Sequence, residues 1–313
     1  MNGTLALPLS AIELRDAIRS SSRFDTARLD RVLRLDPVRG HVEVQASTSW
    51  AGLAAGLDDS APDLSSLWAH APATVGESVA RNCAGPDGRP LVAHVEALAM
   101  VTPDGELRRV SRLVNPELFK LAVGGQGLFG ASYSVTLNVQ SLLRSARDRE
   151  PSATLALPRA ESKARLLQLL VPPETLEAFL EECRSRCDEW RTAIEGVQVR
   201  RTLPENETML RWARREYAEV SLFLGELCTI GGSVRATQLR RELIDAAIAR
   251  SGSFPIASTP EATRVQVESC YPQLKTLLAE KRRFDPAEKL VNAWYRHHSS
   301  LLVRESCDVR WSN

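Results

Sequence analysis

Small and hydrogen-bonding residues are concentrated in the run TVGESVARNCAG, from Thr74 to Gly85. Glycines allow close backbone approach and positive φ, and successive N–H groups with hydroxyl and amide side chains can face an anion or a heterocycle. The segment is interpreted either as a loop wrapped against a ligand or as a surface loop that caps a helix at 78–81. The candidate contact residues are Thr74, Gly76, Ser78, Asn82 and Gly85.

A second glycine cluster, GGQGLFG at residues 124–130, partly matches the dinucleotide fingerprint. That fingerprint follows a strand and opens a helix whose N-terminus binds the pyrophosphate. Here the pattern predicts the reverse order, with a short helix that opens at Asn115-Pro116 before the glycines and an alternating strand at 131–139 after them. The order argues against a Rossmann NAD site.

Thiols and imidazoles offer little for metal binding or acid–base chemistry. Cys183 and Cys187 stand four residues apart in a predicted helix, so they are either two half-buried thiols or half of a zinc site. No Cys or His pair elsewhere supplies the other half. His94 opens a predicted buried strand, where a structural role is the commoner one, and Cys83 is an alternative thiol of lowered pKa. No residue is identified as a catalytic base.

Charge and hydropathy argue against two classes of partner. Forty basic and 39 acidic residues give a net charge of +1, so no global field attracts nucleic acid. A local basic patch at Arg144, Arg147, Arg149 and Arg159 is interspersed with acidic residues. No run reaches the roughly 18 to 20 apolar residues of a membrane span, and residues 1–10 do not read as a secretory signal. We expect a cytoplasmic protein with reduced cysteines.

Helices and strands are mixed along the chain, with hairpins between them, which predicts the α+β class. A first helix begins at Ser10, with Glu13 as its capping-box partner and Ile12, Leu14, Ala17 and Ile18 on one face. Alternating patterns predict strands, and amphipathic patterns predict helices, in the remaining segments. The strands are 41–46, 92–101, 108–114, 131–139, 197–201 and 217–224, and the helices include 49–57, 173–190 and 236–250.

Taken in order, these segments resemble the FAD-binding domain of the vanillyl-alcohol-oxidase (PCMH-type) family. The likeness rests on the strand and helix at 42–57, the loop at 74–85, the turn TPDGE at 102–106, NPELF at 115–119 and the glycine turn at 124–130. Segments at 205–213, 241–245, 270–286 and 292–295 are similar to the substrate lobe and closing segment of the branch that contains sugar, alditol and aldonolactone oxidases and decaprenylphosphoryl-ribose oxidases.

The resemblance implies a two-lobed α+β protein that binds FAD. Residues 1–142 would form the FAD-binding domain, residues 143–270 a substrate or cap domain, and residues 271–313 a segment that returns to the first domain. The implied cofactor contacts are Thr74, Gly76, Ser78, Asn82, Gly85, Gly125, Gly127, Gly130 and Asn292, with Gly124 in the same turn. The implied substrate is a small alcohol, which loses hydride to flavin N5 while a base removes the hydroxyl proton.

Four departures from the family pattern bear on FAD binding. The glycine-rich loop that would bind the pyrophosphate is missing after Ser22, as in an internal deletion. Glu77 replaces a glycine of the second loop, and Ala84 stands where many relatives have histidine. At 251–256, Phe254 and its neighbour replace paired tyrosines. The sequence therefore supports two hypotheses, a flavin-dependent oxidoreductase of sugar-like or alditol alcohols and a non-catalytic member that has lost FAD and acts as a binding or partner protein.

Overall fold

The computed structural model describes residues 5–57, 74–85, 87–147, 153–156, 164–225 and 229–303. The chain divides into two compact units, unit 1 (Met1–Arg149, Glu205–Arg211 and Lys275–Arg296) and unit 2 (Glu150–Pro204, Trp212–Leu274 and His297–Asn313). Both contain an antiparallel sheet with helices, so the predicted α+β class is confirmed. No helix in the described ranges is both long and apolar enough to span a membrane.

The secondary-structure elements of the described residues are numbered in chain order. The strands are β1 Val32–Asp36, β2 His41–Gln45, β3 Val95–Val101, β4 Leu107–Ser111, β5 Ala131–Asn138, β6 Ala153–Ala156, β7 Arg165–Val171, β8 Ile194–Thr202 and β9 Tyr217–Leu224. The α-helices are α1 Ala11–Arg19, α2 Trp50–Gly56, α3 Val75–Arg81, α4 Pro116–Ala122, α5 Val139–Arg147, α6 Leu176–Glu189, α7 Ile230–Ala249, α8 Arg264–Cys270, α9 Leu274–Phe284 and α10 Ala293–Val303.

Unit 1 is built on a five-stranded sheet in the order β1-β2-β5-β3-β4. The predicted hairpin is formed by β3 and β4, and Gly105 in its turn has a φ of +80°. The central strand β5 pairs with both β2 and β3, so the chain that follows the glycine turn becomes the middle of the sheet. This arrangement fixes the glycine turn at the end of a fully paired strand.

Helix α1 packs against this sheet through β3 and β5. Ser10 accepts a hydrogen bond from the Glu13 N–H, as predicted. The buried face contains Leu14, Ala17 and Ile18, whereas Ile12 is exposed, so its predicted inward position was wrong. The helix ends in a Schellman-type turn, because the N–H groups of Ser21 and Ser22 donate to the carbonyls of Ile18 and Ala17.

One short segment far along the chain belongs to unit 1. Arg112 contacts both carboxylate oxygens of Glu207, at 2.5 and 3.1 Å, and the Met209 N–H donates to the carbonyl of Lys120 at 2.9 Å. Residues Glu205–Arg211 are therefore in contact with α4 and with the residue that follows β4, although the sequence analysis grouped them with the substrate lobe.

Unit 2 contains a four-stranded sheet in the order β6-β8-β9-β7, with α7 in contact with β7 and with α6. All eight residues of β9 are buried, including Glu219, whose carboxylate pairs with the Arg200 guanidinium at 2.9 Å. Burial raises the pKa of the Cys183 thiol to about 12 and that of Cys187 to about 11, so both are protonated thiols in the core. Phe254 is fully buried, with its ring 5.6 Å from that of Tyr271, and Trp212 is also buried.

Candidate functional site

A cleft of about 840 Å³ lies in unit 1 and is of the size usual for ligand pockets. Residues from five segments line it: 21–26, 46–47, 74–80, 127–132 and 288–296. One lining residue, Leu290, belongs to the small apolar cluster of Leu14, Ile18, Leu29, Val101 and Leu290, against which Phe24 and Ala131 pack. Because Phe24, Ala131 and Leu290 also line the cleft, the core and the cleft share their side chains.

Five of the sequence-predicted cofactor contacts lie together around this cleft. They come from the two glycine segments and from residues 288–296, the closing segment: Thr74, Gly76, Gly127, Gly130 and Asn292. The fold therefore brings these five residues to one cleft. That they contact a cofactor stays a prediction.

The other four predicted contacts do not line the cleft. Ser78 accepts a hydrogen bond from the Trp50 indole at 3.0 Å, and Asn82 accepts one from the Val92 N–H at 2.8 Å. The Gly85 N–H donates to the carbonyl of Arg89, and a Cβ on Gly125 would lie 1.8 Å from the carbonyl oxygen of Leu121. These four residues make contacts within the protein, outside the lining of the cleft.

The segment at 74–81 is a capped helix, as in the second interpretation of its sequence, although the helix begins at Val75 and not at residue 78. Thr74 caps α3 by accepting from the Glu77 N–H at 3.2 Å. The N–H groups of Val75 and Gly76 donate to the carbonyls of Thr48 and Ala46, at 2.9 and 2.7 Å. The expectation that successive N–H groups of this segment face an anion is therefore wrong for the first turn of α3.

Close packing explains two of the cleft glycines, and backbone conformation explains a third. A Cβ on Gly76 would lie 2.6 Å from the carbonyl oxygen of Ala46, and one on Gly130 would lie 3.0 Å from that of Val101. Gly127 has a φ of +72°, and a Cβ there would meet nothing within 4 Å. The cleft is thus open beside Gly127, where backbone can approach a ligand.

Glu77 brings a carboxylate to the lining of the cleft. The Arg81 guanidinium, one helical turn further along α3, contacts this carboxylate at 2.5 Å. Both side chains are partly exposed, so the pair is a surface ion pair of small net energy. The negative charge of Glu77 is nonetheless offset within the protein.

A buried ion pair holds the chain before the closing segment. It joins Lys281, in α9, to Asp285, the first residue after that helix. Asp285 also accepts from the N–H groups of Lys289 and Leu290, at 3.0 and 2.9 Å. Burial alone would raise the pKa of Asp285, but the hydrogen bonds from Lys281 and from these two N–H groups prevail and lower it. The carboxylate therefore anchors the chain just before it reaches the cleft.

Asn292 connects the closing segment to the glycine turn. Its amide nitrogen donates to the carbonyl of Gln126 at 2.7 Å, and its Oδ1 accepts from the Tyr295 N–H at 2.9 Å. Both ends of the side chain are therefore used within the protein. Asn292 holds two walls of the cleft together.

Three cations that the sequence analysis did not single out also line the cleft: Arg23, Lys289 and Arg296. Within the described part of the chain, no hydrogen bond or ion pair engages these three side-chain charges. The carboxylates of the lining are Glu77, paired with Arg81, and Glu288, which accepts from the Tyr295 hydroxyl at 2.7 Å. The cleft consequently has an excess of available positive charge.

The remaining candidates lie elsewhere. His94 is buried, with Nδ1 2.7 Å from the Ser141 hydroxyl and Nε2 3.6 Å from a carboxylate oxygen of Asp87. It does not line the cleft, and neither does the half-buried Cys83. Among the described residues, no three His, Cys, Asp or Glu side chains are grouped so that they could hold a metal ion.

The residues of the cleft fit a ligand that has an anionic part, such as FAD. The space beside Gly127 admits a ligand against bare backbone, and the three unpaired cations suit a diphosphate. Thr74, Gly76, Gly127 and Asn292 are the residues that would lie along such a ligand.

Comparison with known protein families gives one match, between residues 14–111 and the model of an FAD binding domain. The matched region includes three of the five lining segments, 21–26, 46–47 and 74–80. No curated protein matches the chain. The match supports FAD as the cofactor and a flavin-dependent oxidoreductase as the broad class of the protein.

Proposed function

We propose that the protein is a cytoplasmic FAD-dependent oxidoreductase that oxidises a C–OH group of a sugar-like or alditol substrate. The observation that carries the proposal is the cleft of unit 1, which combines three segments of the FAD-binding-domain match with the closing segment 288–296. When bound, FAD supplies the hydride acceptor for this oxidation. The substrate class rests on the resemblance of the segments at 205–213, 241–245, 270–286 and 292–295 to the substrate lobe and closing segment of sugar and alditol oxidases.

The residues of the chain would position the ligand in the cleft and enclose it. The Asn292 amide, bonded to Gln126 and Tyr295, fixes the closing segment against the glycine turn. Leu290 and Phe24 cover the base of the cleft with apolar surface and keep water from it. Arg23, Lys289 and Arg296 provide charge at the cleft lining.

A non-catalytic protein that has lost FAD is the second candidate. It is favoured by the Glu77 carboxylate in the cleft lining and by the first-turn N–H groups of α3, which already have protein acceptors. In this case the protein acts as a binding or partner subunit, and the cleft takes no flavin.

The absorption spectrum of the purified protein separates the two candidates. The oxidoreductase is expected to be yellow, or to gain flavin bands and thermal stability on titration with FAD. Anaerobic addition of an alditol should then bleach the flavin bands, with a non-hydroxylated analogue as the control. A protein that binds no FAD contradicts the enzyme, whereas FAD binding without bleaching by any alditol or sugar contradicts the substrate class alone.

A further inference from the structure

We propose that the side-chain cations Arg23, Lys289 and Arg296 bind the diphosphate of the ligand in this cleft, in place of backbone N–H groups. The inference rests on the proposed FAD site and assigns the residues that hold the anionic part of the cofactor. It concerns three residues from two distant parts of the chain, and only Arg23 lies within the matched FAD-binding region.

The backbone donors of both glycine segments are largely committed to the protein. In the first turn of α3, the N–H groups of residues 75–78 donate to the carbonyls of Thr48, Ala46 and Thr74 or to the Thr74 hydroxyl. In the turn at 124–130, those of Gly124, Gln126 and Leu128 donate to the carbonyls of Val79, Ala80 and Gly125. Because most of these N–H groups are already bonded, we expect a diphosphate in the cleft to depend mainly on other donors.

Side-chain cations are the donors that the cleft offers. Arg23 follows the turn that ends α1, Lys289 lies in the closing segment, and Arg296 lies in the first turns of α10. None of the three charges is engaged by another side chain in the described ranges. Arginine and lysine bind phosphate oxygens through charge-assisted hydrogen bonds, with arginine able to use two at once.

The backbone of each cationic residue is held in place, which reduces the entropy lost when a ligand is bound. The Arg23 carbonyl accepts from the Ala6 N–H at 2.8 Å, and the Lys289 N–H donates to Asp285 at 3.0 Å. The Arg296 N–H donates to the carbonyl of Asn292 at 3.2 Å. Only the side chains remain to be ordered on binding.

Carboxylates do not cancel this positive charge. Glu77 is paired with Arg81, which is outside the lining, so its charge is offset without use of the three cations. Glu288 accepts from the Tyr295 hydroxyl and is the other carboxylate among the described residues of the lining. An anionic ligand would thus meet more positive than negative charge.

The test measures FAD affinity of the full chain after single neutralisation of each cation. The variants are Arg23→Gln, Lys289→Gln and Arg296→Gln, and the matched controls are Arg28→Gln and Arg282→Gln, two exposed cations outside the cleft. Titrations use FAD and riboflavin, which lacks the phosphates, over a series of salt concentrations. The melting temperature of each variant without ligand reports on folding.

Each cleft variant is expected to weaken FAD binding about tenfold, the effect of one charge-assisted hydrogen bond, and to reduce its salt dependence. Riboflavin binding and the unliganded melting temperature should not change. Wild-type affinity for FAD in all three cleft variants, or an equal loss in the controls, overturns the assignment and leaves the FAD site intact. Failure of the wild type to bind FAD overturns the proposed function as well, so the two failures are distinguishable.

Discussion

The two walls of the cleft are built by opposite means. The wall from α3 places main chain at the cleft, but its first N–H groups are bonded to carbonyls and a hydroxyl of the protein. The wall from the closing segment places side-chain charge at the cleft, on a backbone that the buried Asp285 anchors. A glycine-rich segment can thus determine the shape of a site, while a distant segment provides its positive charge.

Removing the anchor of the closing segment should have the largest effect. Asp285→Ala leaves the Lys281 ammonium buried without its partner, and we expect a loss of about 3–5 kcal/mol in the free energy of unfolding. Chemical denaturation measures this loss. The paired variant Lys281→Met/Asp285→Leu removes both charges and should lose clearly less; an equal loss would show that packing, and not the ion pair, anchors the segment.

The same residue predicts a pH dependence. The pKa of Asp285 is lowered from its ordinary value of 3.8, so the unfolded chain takes up this proton at a higher pH than the folded one does. Its stabilising contribution is therefore complete above that value and is lost as the pH falls through the lowered pKa. Unfolding free energies of the wild type and Asp285→Asn, measured from neutral to acid pH, should converge at the acid end. A constant difference would contradict the ion pair.

The α3 wall is expected to depend on packing. In Gly76→Ala the new Cβ would lie 2.6 Å from the carbonyl oxygen of Ala46, so we expect a destabilisation of about 1–3 kcal/mol. Gly127→Ala serves as the matched variant, because it meets no neighbour and adds only the strain of positive φ, about 1 kcal/mol. Thermal denaturation compares them. A larger effect at Gly127 would contradict the role of close approach at Gly76.

The smallest expected effect concerns Glu77. Glu77→Gln removes a partly exposed carboxylate from the cleft and frees Arg81, so FAD affinity should rise by a factor of up to about five. Fluorescence titration with FAD measures the change, and Glu117→Gln is the control, because Glu117 is an exposed carboxylate on α4 that also pairs with a cation of its own helix. Weaker FAD binding in Glu77→Gln would mean that this carboxylate assists the ligand.

Local signals made much of the fold predictable. Ser10 and Glu13 marked the start of α1, and the turn at 102–105 marked the hairpin of β3 and β4. Strand β1 was not predicted, because Val32, Leu33 and Leu35 are exposed and show no alternation between a buried and a polar face. Its pairing with β2, and not its own pattern, makes it a strand.

The candidate site was only half predictable. Glycines and capping residues have local signatures, so Thr74, Gly76 and Gly127 could be found in the sequence. Arg23, Lys289 and Arg296 are ordinary surface cations in the sequence, and only the tertiary fold brings them to one cleft. Likewise, the spacing of Lys281 and Asp285 allows an ion pair on a helix, but their burial depends on the contacts of the whole unit.

Hydrogen exchange measured by mass spectrometry, with and without FAD, tests the central claim that this cleft is the flavin site. If FAD binds in this cleft, exchange should slow on FAD addition in segments 21–26, 46–47, 74–80, 127–132 and 288–296, with no change in β9 of unit 2. Protection that is absent from these segments, or that is confined to unit 2, would contradict it.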